Sequence, residues 1–323
     1  MARPPESSPP GWVTKAECVS VLLCCNTDYL QHCGVLVASL LEENPRYFFE
    51  IVLVSTAALG SDFDKLRRLV DDYDNCRLTH QVFCPPPDMR LPIRVHYTID
   101  TYTRIWVAEF FSPEVTRILY LDCDMIVVSD ITELWQADLG GRTIAAVSIP
   151  GSTRCELLGI PEEFGYFSSG VILIDLRRWR ETGVFDRLLE FIRQHSDKLI
   201  DADQDALNGC LYNDRAQIPY VWNVITPFYV YSYPLGLTEA AIAEVTRNAK
   251  IVHFNGASKP WMYMNRHPRR PDYYKYLSLT EWRHFKPPDR ALINRLWKHA
   301  SPFMPDALKR ILRAMDSKLK GNR

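Results

Sequence analysis

Arg117-Ile-Leu-Tyr-Leu-Asp-Cys-Asp-Met-Ile-Val-Val128 runs apolar, without alternation, on both sides of Asp122-Cys123-Asp124. Such a run reads as a central strand buried on both faces, the kind found in parallel α/β sheets. Two carboxylates do not end such a strand unless they leave the sheet or gain a positive partner, because unpaired buried charge is costly. The C-terminal ends of strands are also where open α/β sheets bind ligands. Hard oxygen ligands there suit Mg²⁺ or Mn²⁺, and such an ion commonly bridges a diphosphate. A solvated Asp-x-Asp turn is the alternative, and the apolar flanks weigh against it without removing it.

The surrounding text supports the same class. Val19–Cys25 reads as a strand, His32–Glu43 as an amphipathic helix, Phe49–Ser55 as a strand, Ser61–Asp74 as a helix and Arg77–Phe83 as a strand. That βαβαβ rhythm calls for a parallel sheet covered by helices. A Pro-rich connection over Cys84–Pro92 leads to a helix over Thr101–Phe111 and then to the strand carrying Asp122. Further strands are expected at Thr143–Val147, Gly170–Asp175 and Lys250–Phe254, with helices at Val184–His195 and Asp203–Leu211. From Trp261 to Pro305 the Pro-, Arg- and aromatic-rich text predicts irregular structure. There is no internal repeat and no GxGxxG or GxxxxGK loop, so bound phosphates would be held by metal and side chains.

The chain has 323 residues, enough for one large or two small domains, and its 12% aromatic and 24% charged content excludes global disorder. Charge is unevenly placed. Lys259 to Arg323 holds sixteen Lys and Arg against five Asp and Glu, a net of +11, so the other 258 residues carry −12 for the overall −1. A basic end on an acidic body suggests an anionic surface or ligand at that end. A nucleic-acid binder fits poorly, since the positive charge is confined to the last quarter. The nine cysteines show no CxxC spacing and several sit in apolar runs, which predicts reduced thiols rather than a disulfide framework. The start has no apolar signal-peptide core, and no stretch reaches the roughly 20 apolar residues that span a bilayer. These features predict a cytoplasmic protein with a disordered leader over 1–17, a folded α/β domain over 18–262 and a basic extension over 263–323.

Other residues could carry chemistry. Phe167-Ser-Ser-Gly-Val-Ile-Leu-Ile-Asp175 opens small polar residues onto a buried strand, and Gly170 would admit close approach to a ligand, although a plain strand-entry turn reads equally well. Asp201-Ala-Asp-Gln-Asp-Ala-Leu207 starts a helix, where acidic residues serve as caps. Gln204 has no capping role to explain it. His253 ends an apolar strand, and Gly256 and Lys259 follow within six positions, an arrangement that can close over a phosphate while the imidazole reaches a metal. Arg104 stands inside an otherwise apolar helix and needs an anion, either Asp122 or a ligand phosphate.

In this order the pieces resemble the family 8 glycosyltransferases, retaining enzymes of the GT-A fold, and among them the bacterial lipooligosaccharide galactosyl- and glucosyltransferases. The matching text is Tyr-x-Arg at 102–104, Leu-Tyr-Leu-Asp-x-Asp at 119–124, Tyr-Phe-x-x-Gly-Val at 166–171, Asp-Gln-Asp-x-Leu-Asn at 203–208 and His-x-x-Gly-x-x-Lys-Pro-Trp at 253–261. The resemblance implies a Rossmann-like α/β fold with a mixed, mostly parallel sheet. It implies transfer of galactose or glucose from UDP-galactose or UDP-glucose to an acceptor hydroxyl, with Mn²⁺ (Mg²⁺ as substitute) held by Asp122, Asp124 and His253. Gly256 and Lys259 would contact the diphosphate, Arg104, Asp203 and Ser168 the donor sugar, and Cys123 the donor through its place between the two Asp. Gln204 matches the residue beneath the anomeric carbon, and Cys24, Asn26, Asp28 and Tyr29 match the loop that holds uridine.

Departures from the family pattern fall mainly on the sugar and acceptor side. Ser168 stands where a sugar-contacting Asn is usual, and Ser148-Ile149-Pro150 replaces an Asp found after the Ala-Ala-Val strand. Asn26 is a milder change at the uracil position. The rival classes are a glycogenin-like self-glucosylating enzyme, which the basic tail opposes, and an inactive sugar-nucleotide binder, which the complete Asp122-Asp124-His253 set opposes. Over 305–320, Leu308, Ile311, Leu312, Met315 and Leu319 form one helical stripe with Lys and Arg on the other faces. That pattern predicts either a helix packed on the body or one lying on an anionic membrane surface beside a saccharide or glycolipid acceptor.

Overall fold

The computed structural model describes residues 18–86, 89, 91–92, 99–230, 234–291 and 294. The leader and the stripe at 305–320 lie outside the described residues. The first half follows the expected rhythm: β1 (Cys18–Cys24), α1 (Leu30–Glu43), β2 (Phe48–Ser55), α2 (Ser61–Asp71) and β3 (Cys76–Val82). β1 pairs in parallel with β2, β2 with β3, and β1 on its other side with β4 (Arg117–Leu121). The chain continues through β5 (Met125–Val127), α3 (Thr132–Trp135), β6 (Ile144–Ser148), α4 (Arg154–Leu158), β7 (Phe167–Asp175), α5 (Leu176–Glu181), α6 (Val184–His195) and α7 (Ala202–Leu211). It ends with β8 (Arg215–Gln217), β9 (Val224–Ile225), α8 (Glu239–Arg247), β10 (Ile251–His253) and α9 (Arg270–Leu277).

The main sheet has the order β3-β2-β1-β4-β7-β6-β8, and a three-stranded sheet has the order β5-β10-β9. β7 runs antiparallel to β4 and β6, so the main sheet is mixed but mostly parallel. Both of its faces are covered. Val19, Val21 and Leu23 of β1 point into a core shared with α1, the small sheet and α9, while Leu22 points into a second core with α6 and α7. Burial on alternate sides explains why the central strands show no polar face.

Three expectations need correction and one is refined. The 117–128 run is not one strand: the chain leaves the main sheet at Leu121 and enters the small sheet at Met125. The helix expected over Thr101–Phe111 is present, as a 3-10 helix displaced to Ile99–Glu109 with a kink at Trp106. α1 is buried from His32 to Leu41 on every side, not amphipathic, because the main sheet, β5, α2 and α9 surround it. The stretch after Trp261 is not wholly irregular either. α9 buries Tyr273, Tyr276 and Leu277 in the α1 core, and Arg270 and Pro271 at its start are compatible with a first helical turn. No helix among the described residues is long and apolar enough to cross a membrane.

Candidate active site

Asp122-Cys123-Asp124 is the corner where the chain passes from one sheet to the other, and its backbone is pinned at both ends. The Asp122 N–H donates to Gly170 O at 2.8 Å, and the Phe254 N–H donates to Asp124 O at 2.9 Å. The two carboxylates turn toward His253, and the Cys123 thiol turns to Cys24 O. Cys123 is 5% exposed and its thiol donates to Cys24 O at 3.5 Å.

His253, at the end of β10, sits beside Met125 in the small sheet and brings its ring to the corner. Its Nε2 lies 3.1 Å from Asp124 Oδ1 and 3.7 Å from Asp122 Oδ2. Its Nδ1 meets Asn223 Oδ1 at 2.9 Å, and Asn223 Nδ2 donates to Ser168 Oγ at 3.0 Å. Because that amide nitrogen is engaged with Ser168, the amide oxygen must accept. Nδ1 then carries a proton, and Nε2 is the ring nitrogen turned toward the two carboxylates. One donor atom from each of Asp122, Asp124 and His253 falls within 4.8 Å of the others. Neighbouring ligands of an octahedral ion with bonds near 2.1 Å are about 3 Å apart, so the set fits a divalent cation after small rotations.

Gly170 makes this closeness possible. A Cβ there would stand 2.4 Å from His253 Cε1 and 2.9 Å from Asp122 Oδ2. The close approach at this glycine is made by the His253 and Asp122 side chains.

The charges around the corner are mutually dependent. Lys259 Nζ contacts Asp124 Oδ2 and donates to Phe254 O at 3.0 Å. Burial alone would push the Asp124 carboxyl up, but Lys259 and His253 hold it well below the usual carboxylate range. Arg104 is 8% exposed and finds the anion its apolar surroundings demand twice over, with Nε 2.6 Å from Asp203 Oδ2 and Nη1 3.2 Å from Asp122 Oδ1. It also donates to Ser169 O at 2.7 Å and lies over the Tyr120 ring. Asp203 is fully buried, and its Oδ1 has no hydrogen-bond donor. Burial raises its carboxyl to about 7 against the opposing pull of Arg104.

Gln204 is set by β7: its Oε1 accepts from the Ser169 N–H at 2.9 Å. The acidic helix start is capped differently from expectation. Asp201 makes no side-chain cap, and Asp205 Oδ2 reaches back to accept from the N–H groups of Ile200 and Asp201 at 2.7 Å each. Ala202, with φ 48°, turns the chain in the left-handed region just before Asp203 and Gln204. A non-glycine residue held there costs about 1–3 kcal/mol, strain that the surrounding packing must offset.

The loop after β1 borders the same cleft. Asn26 accepts from the Tyr29 N–H at 3.3 Å and donates to Asp100 at 3.4 Å, while Asp28 is exposed. Cys24 is half-buried, and burial lifts its thiol to about 12. Tyr29 packs edge-on to Trp261, which stacks at 3.4 Å on His32, and His32 bonds Tyr273 of α9 at 2.7 Å. Gly256, with φ 86°, supplies the left-handed turn between His253 and Lys259. Ser168 is 3% exposed, with its hydroxyl engaged by Asn223.

The sequence profile of Glycosyl transferase family 8 matches residues 20–265. The chain belongs to that family. Its arrangement is that of the GT-A fold: it superposes on a solved galactosyltransferase, LgtC in complex with donor and acceptor sugar analogs, with a TM-score of 0.71 over 81% of this chain and 96% of that one, at 20% identity. Among curated relatives, General stress protein A of Bacillus subtilis is 35% identical over 58% of this chain and 68% of its own length. Lipopolysaccharide 1,3-galactosyltransferase of Salmonella typhimurium is 26% identical over 84% of this chain and 80% of its own. Lipopolysaccharide 1,2-glucosyltransferase of Escherichia coli is 24% identical over 89% and 86%.

Two residues of this family 8 site escaped the sequence reading. Asn223 orients His253, and Asp100 accepts from the Thr56 hydroxyl at 2.6 Å while also engaging Asn26, tying the loops after β1 and β2 together. Asn223 carried a usable signal, a lone amide inside Tyr-Val-Trp-Asn-Val-Ile. A polar group in such an apolar run must be hydrogen-bonded once buried. Asp100 carried none.

Proposed function

We propose that this protein is a Mn²⁺-dependent retaining glycosyltransferase that moves galactose or glucose from a UDP-sugar to a hydroxyl of a cell-surface saccharide or glycolipid. The observation that carries the reading is the meeting of Asp122, Asp124 and His253 at one corner, with Lys259 on Asp124 and Arg104 on Asp122. Two carboxylates and one imidazole suit Mn²⁺ somewhat better than Mg²⁺, which prefers oxygen throughout. When bound, the ion acts as a Lewis acid toward the departing diphosphate. Lys259 adds a second cation on the same side, already anchored by Phe254 O.

Bond cleavage at the anomeric carbon builds oxocarbenium character, as in glycoside hydrolysis. The position beneath that carbon is Gln204, an amide that cannot form an ordinary glycosyl ester. Its neighbour Asp203 is fully buried and committed to Arg104, so it is poorly placed as a nucleophile. We therefore assign same-face attack: the acceptor oxygen bonds to the anomeric carbon as the carbon–phosphate oxygen bond breaks, and the acceptor proton passes to the leaving diphosphate. The two lipopolysaccharide hexosyltransferase relatives support a lipid-linked acceptor, reached from the cytoplasmic face of a membrane by the basic end of the chain.

The test is release of UDP from a panel of UDP-hexoses with and without Mn²⁺, for the native protein and Asp124→Ala. Native turnover requiring the ion, and none from the variant despite a native thermal transition, is expected. Undiminished turnover in Asp124→Ala would refute the metal assignment.

A further inference from the structure

On the hidden side of the same corner lies a second cluster of ligating groups. Cys25 follows β1, Cys33 sits in the first turn of α1, and Cys123 lies between the two corner carboxylates. Their sulfurs are within 4.8 Å of one another, and the three residues are 4%, 0% and 5% exposed. Among the described residues, these three and the Asp122-Asp124-His253 set are the only groups of this kind. A single buried thiol fills a core as a small hydrophobe. Three thiols from separate elements, with sulfurs facing one shared point, make a ligand set.

We propose that Cys25, Cys33 and Cys123 form a three-sulfur site for a soft monovalent ion, Cu(I), one side-chain layer beneath the Asp122–Asp124 corner. The ligand chemistry selects the ion. Three sulfurs without carboxylate or imidazole favour a soft ion over the hard cation suited to the other side of the corner. Zinc in a closed structural site takes four ligands, and the cluster supplies three. Binding is a proton exchange with no electron transfer: copper–sulfur bonds form as thiol protons leave to water. The product is an anionic copper–thiolate centre enclosed by β1, α1 and the corner. An ion there would tie β1, α1 and the corner at one point, linking the thiol cluster to the carboxylate site through a single residue.

The experiment titrates the reduced full-length protein with Cu(I) buffered by a coloured Cu(I) chelator, and reads copper withdrawn from the chelator. One equivalent should be retained by the native protein and by Asp124→Ala, which disables the carboxylate–imidazole site. Cys25→Ser and Cys33→Ser should each weaken retention at least about tenfold, whereas Cys155→Ser should not. X-ray absorption on the copper-loaded native protein needs no variant to fold and should show sulfur-only, three-coordinate copper. Nitrogen or oxygen ligands in that spectrum, retention lost in Asp124→Ala, or no retention by the native protein would overturn the proposal. None of these readouts depends on glycosyl transfer, so the proposal stands or falls apart from the enzymatic reading.

Discussion

Gly170→Ala is the sharpest test of how this site is built. The new methyl carbon would lie 2.4 Å from His253 Cε1, 2.8 Å from its Nδ1 and 2.9 Å from Asp122 Oδ2. Carbon atoms rest about 3.5–4.0 Å apart, so the imidazole must move by roughly 1 Å or more. It has little freedom to do so, being 5% exposed and held through Nδ1 by Asn223. Nor can β7 retreat easily, because Gly170 O accepts from the Asp122 N–H and its neighbours pair with β4 and β6. Overpacking of this kind costs about 1–3 kcal/mol. That lowers the melting temperature by a few degrees up to roughly 10 °C for a domain of this size. A displacement near 1 Å at catalytic groups costs on the order of 100-fold in rate. The assay is UDP release as a function of Mn²⁺ concentration, run beside a thermal melt. Expected are a folded protein, a higher Mn²⁺ requirement and turnover down about 100-fold. A variant with native turnover and an unchanged Mn²⁺ requirement would refute the reasoning, even if its stability had dropped.

Asn223→Ala removes the acceptor that fixes the His253 tautomer, and should weaken Mn²⁺ binding or turnover by about 10–100-fold, with Asn223→Asp recovering part of the loss. An effect on melting temperature alone would show that Asn223 is only structural. Asp203 binds its proton more tightly in the folded protein, about 7 against an ordinary value of 3.8. Between those values the native state holds more protons than the unfolded chain, so this group's contribution to stability falls as pH rises and levels off above about 7, by at most about 4 kcal/mol. Asp203→Asn should flatten that part of the melting-temperature profile, and parallel profiles for the two proteins would disprove it. For the basic end, co-sedimentation with anionic vesicles should be strong for the full chain and weak for a form ending at Ser301, with neutral vesicles binding neither. Equal binding by both forms would remove 305–320 as the membrane contact.

Much of this protein is legible in one dimension because its signals are local. Apolar runs separated by polar helices dictate a parallel sheet covered on both faces, and Asp122, Asp124 and His253 each stand where such a run stops or starts, where open sheets expose ligand groups. Arg104 announced its need for an anion by standing among apolar neighbours. What pattern could not supply was where chains from distant positions meet. Whether the apolar text on either side of Asp122 stays in one sheet depends on which strands lie alongside, and only the pairing of Met125 with His253 moves the second half into another sheet. The same holds for Gly170, whose missing side chain matters only because a histidine 83 positions later occupies that space. Asn223, Asp100 and the three converging thiols act through contacts between separate elements, and periodicity along a chain carries no record of such contacts. Local chemistry therefore picked out Asp122, Asp124 and His253, while packing decided how they are held together and what lies behind them.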